Sequence, residues 1–347
     1  MKIYLLYGGK SAEHDVSIMS AFSVLNAIYF NYYQVQLVMI TKQGQWLKGP
    51  LLTEAPETAA ELDLVALNNG EEINPGMIKD ENGIVFPVLH GPNGEDGTIQ
   101  GFLETLNMPY IGAGVMTSAT AMDKIMTKYV LQAAGIPQVP YVSVLASQWK
   151  ENPKQVFDEC EGALLYPMFI KPANLGSSVG ISKAENRQEL QKGLLEAYQY
   201  DSRVIVEQGI EAREIEVAIL GNEDVRTTLP GEIVKDVAFY DYDSKYIDNK
   251  IEMAIPAQVP PEVAAKARSY AEKAYVMLGG AGLSRCDFFL TAQNELFLNE
   301  LNTMPGFTQF SMYPLLWENM GVKYSDLIEE LIQLGLNRFK QRQNFFE

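Results

Sequence analysis

The sequence predicts a mixed α/β and α+β protein, in which a parallel sheet is followed by two α+β units. In the first part of the chain, apolar strand patterns alternate with helical patterns, which is typical of helices packed on a parallel sheet. After about residue 122 this alternation no longer follows a repeating βαβ order. In addition, 347 residues with 47% hydrophobic content are enough for two or three domains with real cores.

The first unit is predicted over residues 1–121. Its strands are predicted at residues 3–7, 34–40 and 84–89. A helix follows the first strand, with Asp15 available to cap it. The apolar positions that indicate this helix are Ile18, Phe22, Leu25 and Tyr29, and those that indicate a second helix are Ile99, Phe102, Leu103 and Leu106.

Two α+β units are predicted after it, over residues 122–208 and 209–347. The helix that opens the second unit is predicted from a face of Met122, Ile125, Met126 and Tyr129. Further helices are predicted at residues 188–198 and 261–278, with a last one through Leu327, Leu331 and Leu334. The predicted strands lie at residues 141–144, 168–171, 204–207, 214–220, 285–290 and 295–299.

Composition excludes several classes of function. The chain has 27 Lys and Arg against 44 Asp and Glu, a net charge of −17 that would repel nucleic acid and anionic membranes. Two histidines and two cysteines are too few for a disulfide framework or a Cys/His zinc site. The apolar run at the start is too short for a signal peptide, and no later run approaches a membrane span. We therefore expect a cytoplasmic location.

A loop of small residues follows the strand that carries Lys171. Residues 171–180 read KPANLGSSVG, so glycines, backbone N–H groups and hydroxyls could surround an anion beside the lysine charge. The Walker pattern G-x-x-x-x-G-K-[ST] is absent. An ordinary surface turn is the alternative interpretation, and the lysine on the preceding strand favours a phosphate site.

The last two predicted strands carry acidic and amide side chains. Because side chains alternate along a strand, Arg285 and Asp287 share one face, and Glu300 and Asn302 share another. If the two faces coincide, the oxygen donors suit Mg²⁺, and the arginine could stabilise charge that develops on an oxygen. A solvent-facing polar strand pair is the alternative. The apolar residues that flank both groups favour buried strands.

Three further stretches are candidates for a ligand site. The turn at residues 8–15 lies at the carboxyl end of the first strand, where open parallel sheets bind ligands. His90 ends another strand, but a lone histidine there is more often a structural residue, so it is a pocket candidate only. The loop at residues 240–246 holds three tyrosines, two aspartates and a lysine, which fits a mobile lid and an exposed connection equally well.

Six motifs occur in order along nearly the whole chain. They are GGKSAEHDVS at 8–17, LHGPNGEDGTIQG at 89–101, KPANLGSSVGISK at 171–183, YDYDSKY at 240–246, LSRCDFFL at 283–290 and LNELNTMPGFT at 298–308. Together they resemble the D-alanine:D-alanine ligases of the ATP-grasp superfamily. The resemblance implies an N-terminal Rossmann-like (pre-ATP-grasp) domain followed by two α+β domains that sandwich ATP.

The resemblance also implies a reaction. ATP phosphorylates the carboxylate of one D-alanine, and the amine of a second D-alanine attacks the acyl phosphate through a tetrahedral intermediate. The products are D-alanyl-D-alanine for peptidoglycan precursors, ADP and phosphate. Implied cofactors are ATP and two Mg²⁺ ions, which Mn²⁺ could replace, and the implied assembly is a homodimer through the N-terminal domain. Such a reaction needs no covalent nucleophile, which fits the scarcity of histidine and cysteine.

Carried over motif by motif, the resemblance implies three groups of site residues. In the first group, Glu13 would hold the ammonium of the first substrate, in a trio with Ser177 and Tyr246. The other substrate and intermediate positions are His90, Arg285, Gly306, Ser311 and Met312. The nucleotide positions are Lys124, Lys171, Ser178, Glu207, Gln208, Ile210, Glu214, Lys245, Asn299 and Glu300. The metal positions are Asp287, Glu300 and Asn302.

Two positions bear on specificity. Some relatives have a lysine where Gln208 stands and an aromatic residue where Gly209 stands, so the side chains of the adenine pocket differ here. Relatives that use D-lactate tend to have phenylalanine at Tyr246, or a loop with histidine, so this sequence favours dipeptide formation. The alternatives are a ligase for D-lactate or another D-amino acid, and a nucleotide-binding regulator without turnover.

Overall fold

Three sheets carry the strands in the part of the chain that a computed structural model describes, residues 1–176, 179–234 and 252–344. The first sheet has the order β4-β3-β2-β1-β5, and β1 is parallel to both β2 and β5. Its strands are β1 (Lys2–Gly8), β2 (Gln34–Ile40), β3 (Trp46–Leu52), β4 (Glu71–Glu72) and β5 (Gly83–Pro87). Its helices are α1 (His14–Leu25), α2 (Thr98–Thr105) and α3 (Val115–Met122). The three predicted strands are confirmed, and β3 and β4 extend the sheet on one side.

The first helix differs from its prediction in its cap and in its buried face. It begins at His14, so Asp15 lies in the first turn, where it forms an ion pair with Lys42 at 3.0 Å. Tyr29 lies beyond the helix and is exposed. The residues buried on α1 include Ser17, Ser20, Ala21, Val24 and Leu25. Small side chains let the helix lie close to β1, where Gly8 N donates to Ser17 Oγ at 2.8 Å, so the larger Ile18 and Phe22 pack at the flank.

The second sheet is antiparallel, with the order β6-β9-β7-β8. Its strands are β6 (Tyr141–Leu145), β7 (Met168–Pro172), β8 (Ser182–Ala184) and β9 (Arg203–Gln208). Its helices are α4 (Lys124–Ala133), α5 (Ala146–Glu151), α6 (Pro153–Ala163) and α7 (Arg187–Ala197). The antiparallel order confirms that this part of the chain is not a repeat of βαβ units.

The predicted apolar face of α4 is wrong. Met122 ends α3, and Asp123 caps a new helix by accepting hydrogen bonds from two backbone N–H groups. Met126 and Tyr129 are both exposed. The buried side of α4 is formed by Ile125, Thr127, Lys128 and Leu131. A charged residue occupies this face because it has an ion-pair partner inside the protein, a pattern that hydrophobic periodicity cannot detect.

The third sheet has the order β13-β12-β10-β14-β15, with β11 paired to β10. Its strands are β10 (Arg213–Leu220), β11 (Arg226–Thr227), β12 (Gly231–Val234), β13 (Glu252–Ala254), β14 (Leu283–Leu290) and β15 (Leu296–Asn302). The helices of this part are α8 (Pro261–Met277), α9 (Met312–Asn319) and α10 (Tyr324–Asn344). The predicted tyrosine-rich loop at residues 239–250 lies outside the described residues.

The largest core joins the first sheet to the end of the chain. Leu5 and Phe86 of the first sheet share one buried cluster with Phe307, Tyr313 and Leu331. The two predicted boundaries between domains, at residues 121/122 and 208/209, remain a prediction. In the described part of the chain, no helix is both long and apolar enough to cross a membrane.

Candidate active site

Strands β14 and β15 bring the predicted metal ligands onto one face. Arg285 lies opposite Asn302, and Asp287 lies opposite Glu300. Asn302 also donates from Nδ2 to Asp287 Oδ2 at 2.9 Å. The coincidence of the two strand faces, which the sequence left open, is therefore confirmed.

A β-bulge sets this register. Asp287 pairs with Glu300, but Phe288 pairs with Leu298, so Asn299 is the extra residue of β15. If the register of Phe288 and Leu298 continued without a bulge, Asn299 would face Asp287, and Glu300 would lie opposite the buried Cys286. The bulge therefore selects which side chain of β15 enters the site.

A third strand adds a carboxylate behind Arg285. Glu216 of β10 lies opposite Asp287, and its Oε2 is 2.8 Å from Arg285 Nε. Arg285 also donates from Nε and Nη2 to the two oxygens of Asp287, at 2.7 and 2.6 Å. Burial lowers the pKa of Arg285, but Asp287 and Glu216 outweigh it and raise the pKa well above the usual value. The guanidinium is therefore a fixed positive charge.

The donor chemistry of this face suits a magnesium ion. Burial raises the pKa of Asp287 and Glu300 raises it further, while Arg285 lowers it. A cation bound to the Asp287 carboxylate would offset both the burial of its charge and the repulsion from Glu300. In the described ranges, no three His, Cys, Asp or Glu side chains are arranged to hold a metal. The set is two carboxylates and an amide, which suits Mg²⁺ because that ion keeps several waters and substrate oxygens.

Two lysines share one carboxylate on the second sheet. Glu207 Oε2 lies 2.5 Å from Lys171 Nζ, and Glu207 Oε1 lies 2.8 Å from Lys128 Nζ. Burial raises the pKa of Glu207, but the two lysines outweigh it and lower the pKa to about 2. Glu207 is thus held by its side chain inside the protein.

Lys124 holds the start of the glycine-rich loop. Its backbone N–H donates to Ala173 O at 3.0 Å, and its Nζ donates to Leu175 O. Burial lowers the pKa of Lys124, whereas Glu300 raises it. Burial also lowers the pKa of Lys171, but Glu207 and Glu300 raise it. The charge of Glu300 on the third sheet therefore acts on both lysines.

Glu13 lies where the first and second units meet. A Cβ at Gly91 would lie 2.5 Å from Glu13 Oε2, and Gly91 has φ +75°, so only glycine fits there without strain. A Cβ at Gly176 would lie 3.6 Å from the same oxygen. The carboxylate of Glu13 therefore borders the glycine-rich loop, directly before Ser177.

His90 connects three parts of the chain. One ring nitrogen, Nε2, lies 3.0 Å from Ser20 Oγ of α1, and the other, Nδ1, lies 3.2 Å from Met304 O after β15. Burial lowers the pKa of His90, and Glu13 opposes this. Both ring nitrogens have protein partners, so the imidazole connects α1 to the segment after β15 beside the site.

The loop after β15 folds back on itself. Thr308 N donates to Ser311 Oγ at 3.1 Å, and the two hydroxyls of these residues are 2.8 Å apart. A Cβ at Gly306 would lie 3.2 Å from Ser311 Oγ. Because the side chain of Met312 is buried in the core, the group that Met312 could offer to a ligand is its backbone N–H at the start of α9.

The segment after β9 is fixed by Gln208. Its side-chain Oε1 accepts from Leu165 N at 2.7 Å, and its Nε2 donates to Leu165 O at 2.9 Å. The amide therefore binds a neighbouring loop and does not point into a pocket. Ile210 follows in the connection to β10 and is half-buried, as is Glu214 near the start of β10.

The positions Ser177, Ser178, Lys245 and Tyr246 lie outside the described residues.

Four charged residues near the site, three of them buried, were missed at the sequence level. Lys128 lies four residues after Lys124, a spacing that places both on one helix face. Glu216 lies two residues after Glu214 on β10, a spacing that places both on one face of the strand. Glu95 accepts from Gly91 N at 2.7 Å within a motif that was noted, and burial raises its pKa well above the usual value. The fourth, Asp123, caps α4.

Comparison with known proteins agrees with this arrangement. The sequence model described as D-ala D-ala ligase N-terminus matches residues 2–113, and the one described as D-ala D-ala ligase C-terminus matches residues 130–333. The D-alanine–D-alanine ligase of Enterococcus hirae is 78% identical over 100% of this chain and 99% of its own length. The chain belongs to the D-alanine–D-alanine ligase family. The Enterococcus faecalis D-alanine–D-alanine ligase is 74% identical over 98% of this chain and 100% of its own length.

Solved structures give the same family. The D-alanine–D-alanine ligase of Coxiella burnetii superposes with a TM-score of 0.86 at 32% identity, covering 100% of this chain and 97% of that one. The VanG D-Ala:D-Ser ligase of Enterococcus faecalis superposes with a TM-score of 0.85 at 33% identity, covering 96% of this chain and 99% of that one. The predicted family, its ATP-grasp fold and the predicted enzyme class, a ligase, are confirmed.

Proposed function

We propose that this ligase joins two D-alanine molecules into D-alanyl-D-alanine and converts one ATP into ADP and phosphate. One observation carries the proposal: Glu300 pairs with Asp287 across β14 and β15, beside Arg285, and its charge raises the pKa of both Lys124 and Lys171. Basic residues suited to phosphates and oxygen donors suited to Mg²⁺ therefore face one site, beside Glu13.

The first step transfers the terminal phosphoryl group. A carboxylate oxygen of the first D-alanine attacks the γ-phosphorus, the bond from that phosphorus to ADP breaks, and a D-alanyl phosphate forms. Lys124 and Lys171 are proposed to hold the phosphates, and Glu13 to hold the substrate ammonium. Asp287, Glu300 and Asn302 would hold Mg²⁺, which would neutralise phosphate charge when bound. We propose that two Mg²⁺ ions bind and that Mn²⁺ can replace them.

The second step forms the peptide bond. The amine of the second D-alanine attacks the acyl carbon, the nitrogen releases a proton to solvent, and the bond from carbon to the phosphate oxygen breaks, so that inorganic phosphate leaves. Arg285 is proposed to stabilise the oxyanion of the tetrahedral intermediate together with the backbone at Gly306, because Asp287 and Glu216 keep the guanidinium charged and in place. Ser311 and the N–H of Met312 are proposed to bind the carboxylate of the second substrate.

The remaining positions are proposed to bind the nucleotide. Gln208 and Ile210 would contact the base through their backbones, and Glu214 would contact the ribose. Ser178, Lys245 and Asn299 would act on the phosphates, and Ser177 and Tyr246 would complete the trio with Glu13. We further infer a cytoplasmic homodimer, for which light scattering would give twice the chain mass of 38.7 kDa.

A product assay tests the reaction. Protein with ATP, Mg²⁺ and D-alanine is expected to release phosphate and to yield D-alanyl-D-alanine by mass analysis, and L-alanine is expected to give neither. Parallel reactions with D-lactate and D-serine distinguish the alternative ligases, since the VanG structure belongs to a D-Ala:D-Ser ligase. No phosphate release in any reaction would contradict the proposed enzyme.

Two variants test the metal face. Asp287→Asn and Glu300→Gln are expected to abolish Mg²⁺-dependent turnover while the protein stays folded, as its circular dichroism spectrum would show. The matched control is Glu295→Gln, which changes an exposed carboxylate just before β15. Retained turnover in both site variants would mean that the metal lies elsewhere.

A further inference from the structure

Lys128 is a buried cation that the proposed reaction does not use. Its side chain is 1% exposed, and its Nζ lies 2.8 Å from Glu207 Oε1. The ring of Tyr141 lies beneath it, with the ammonium 5.2 Å from the ring centroid. Lys128 therefore sits in a fixed position, against the oxygen of Glu207 that Lys171 does not contact.

Lys128, Lys171 and Glu207 together carry a net charge of +1, and Glu300 also acts on Lys171 from the third sheet. Two ammonium groups, on Lys128 and Lys171, share the single carboxylate of Glu207, which the low pKa of about 2 keeps ionised. A surplus positive charge in a buried position is unfavourable unless an anion accompanies it. Since Lys171 is the member nearer the glycine-rich loop, at the end of β7, a phosphate beside it would supply the missing charge.

We propose that Lys128 is a positioning residue for the nucleotide, acting through Glu207 on Lys171. By holding Oε1 of Glu207, Lys128 leaves only Oε2 to Lys171, whose ammonium carries three donors and so keeps donors for a phosphate oxygen. Without Lys128, both carboxylate oxygens can turn to Lys171 and draw it away from the phosphate. The inference rests on the proposed function, in which Lys171 contacts ATP.

Two substitutions of Lys128 test this role. Lys128→Met keeps the length of the side chain and removes its charge, while Lys128→Arg keeps the charge. Lys128→Met is expected to raise the KM for ATP and the Kd for ADP about tenfold, with the KM for D-alanine unchanged. Lys128→Arg is expected to restore most of the affinity for both nucleotides. The matched control is Lys192→Met, on the exposed side of α7.

The measurements separate positioning from simple packing. A structural role would lower the melting temperature and affect ATP and D-alanine alike, and this pattern, or an unchanged Kd for ADP, would overturn the proposal. Lys128→Gln keeps a donor for Glu207 and provides the same test if Lys128→Met does not fold. If neither folds, even with saturating ADP, Lys128 is structural and the proposal is wrong.

The proposed function is tested separately. Calorimetry with ADP measures nucleotide binding without turnover, so it examines Lys128 whether or not the wild type makes a dipeptide. A wild type that binds ADP but forms no D-alanyl-D-alanine would contradict the proposed function alone.

Discussion

At the scale of single residues, Glu207 determines how the basic side chains of the second sheet are arranged. One of its carboxylate oxygens binds Lys171 and the other binds Lys128. Its backbone lies in β9, which pairs with β6 on one side and with β7 on the other. A family motif assigns this glutamate to the adenine. Its side chain orders two lysines, and the predicted contact of this residue with the adenine stays a prediction.

Glu207 should make the stability of the protein depend on pH in the acid range. Its pKa is about 2 in the folded protein, against an ordinary value of 4.5. Because the folded pKa is depressed, its stabilisation is fully present above about pH 4.5 and is lost as the pH falls towards about 2. The difference in unfolding free energy between the wild type and Glu207→Gln is expected to shrink across that window in urea titrations.

The control for this prediction is Glu196→Gln, which changes an exposed glutamate of α7. It is expected to differ little from the wild type at any pH. A Glu207→Gln difference that stays constant from pH 5 to pH 2 would contradict the depressed pKa.

The side-chain amide of Gln208 also has a structural role. Its amide both accepts from and donates to the backbone of Leu165, and it also donates to Gly209 O at 3.0 Å. Gln208→Glu keeps the acceptor but places a negative charge against two carbonyl oxygens. We expect it to lower the unfolding free energy by about 1 kcal/mol, the usual contribution of such a hydrogen bond.

Chemical denaturation of Gln208→Glu measures this loss. Gln199→Glu, at an exposed site in the same unit, is the control for the added charge. Equal stability of the two variants would mean that the amide contacts contribute nothing.

At the scale of elements, the start of α4 connects the helix to the glycine-rich loop. Asp123 Oδ1 accepts from the N–H groups of Ile125 and Met126, at 3.0 and 2.9 Å. Its Oδ2 accepts from Asn174 Nδ2 at 3.1 Å and binds Arg203. One carboxylate thus caps the helix that carries Lys124 and Lys128 and anchors the loop beside it.

Removing this carboxylate should cost more than removing an ordinary helix cap. Asp123→Ala loses the cap and leaves a partly buried Arg203 without its partner, for which we expect about 2–3 kcal/mol of lost stability. Asn186→Ala removes the cap of α7, where Asn186 Oδ1 accepts from Gln188 N and Glu189 N at an exposed site, and should cost about 1 kcal/mol. Unfolding curves of both variants give the comparison, and equal losses would show that Asp123 acts only as a cap.

At the scale of the whole molecule, the first sheet and the end of the chain share one core. Leu331 of α10 is fully buried in the cluster that contains Leu5 of β1 and Phe86 of β5. The helices that close the sequence therefore complete the fold of its beginning. The loop after β15 lies between them, so the proposed position of the second substrate depends on both ends of the chain.

A pair of core substitutions tests this coupling. Leu331→Ala is expected to lower the unfolding free energy by about 2–5 kcal/mol, because a buried leucine leaves a cavity. Amide hydrogen exchange should become faster in β1 and β5 as well as in α10. Leu194→Ala removes an equally buried leucine from the separate core of the second sheet, and should leave β1 unaffected. Unchanged exchange in β1 for Leu331→Ala would mean that the two parts unfold independently.

The sequence predicted most elements and failed where polar residues replaced the expected apolar ones. Strands β1, β2 and β7, and helices α7 and α8, agree with their predictions to within a residue or two. The face of α4 was wrong because Lys128 is buried and Met126 is exposed. Periodicity assumes that burial follows hydrophobicity, and an ion pair inside the protein breaks this rule.

The sequence by itself determined the fold class, the family and the residue types at the site, because motif order and apolar patterns are local properties of the chain. Only the tertiary structure decided that Glu300, by way of the bulge at Asn299, faces Asp287, and that Glu207 is shared by Lys128 and Lys171. Strand register and ion-pair partners depend on residues far apart in sequence. They are set when the sheets pack, and no local pattern specifies them.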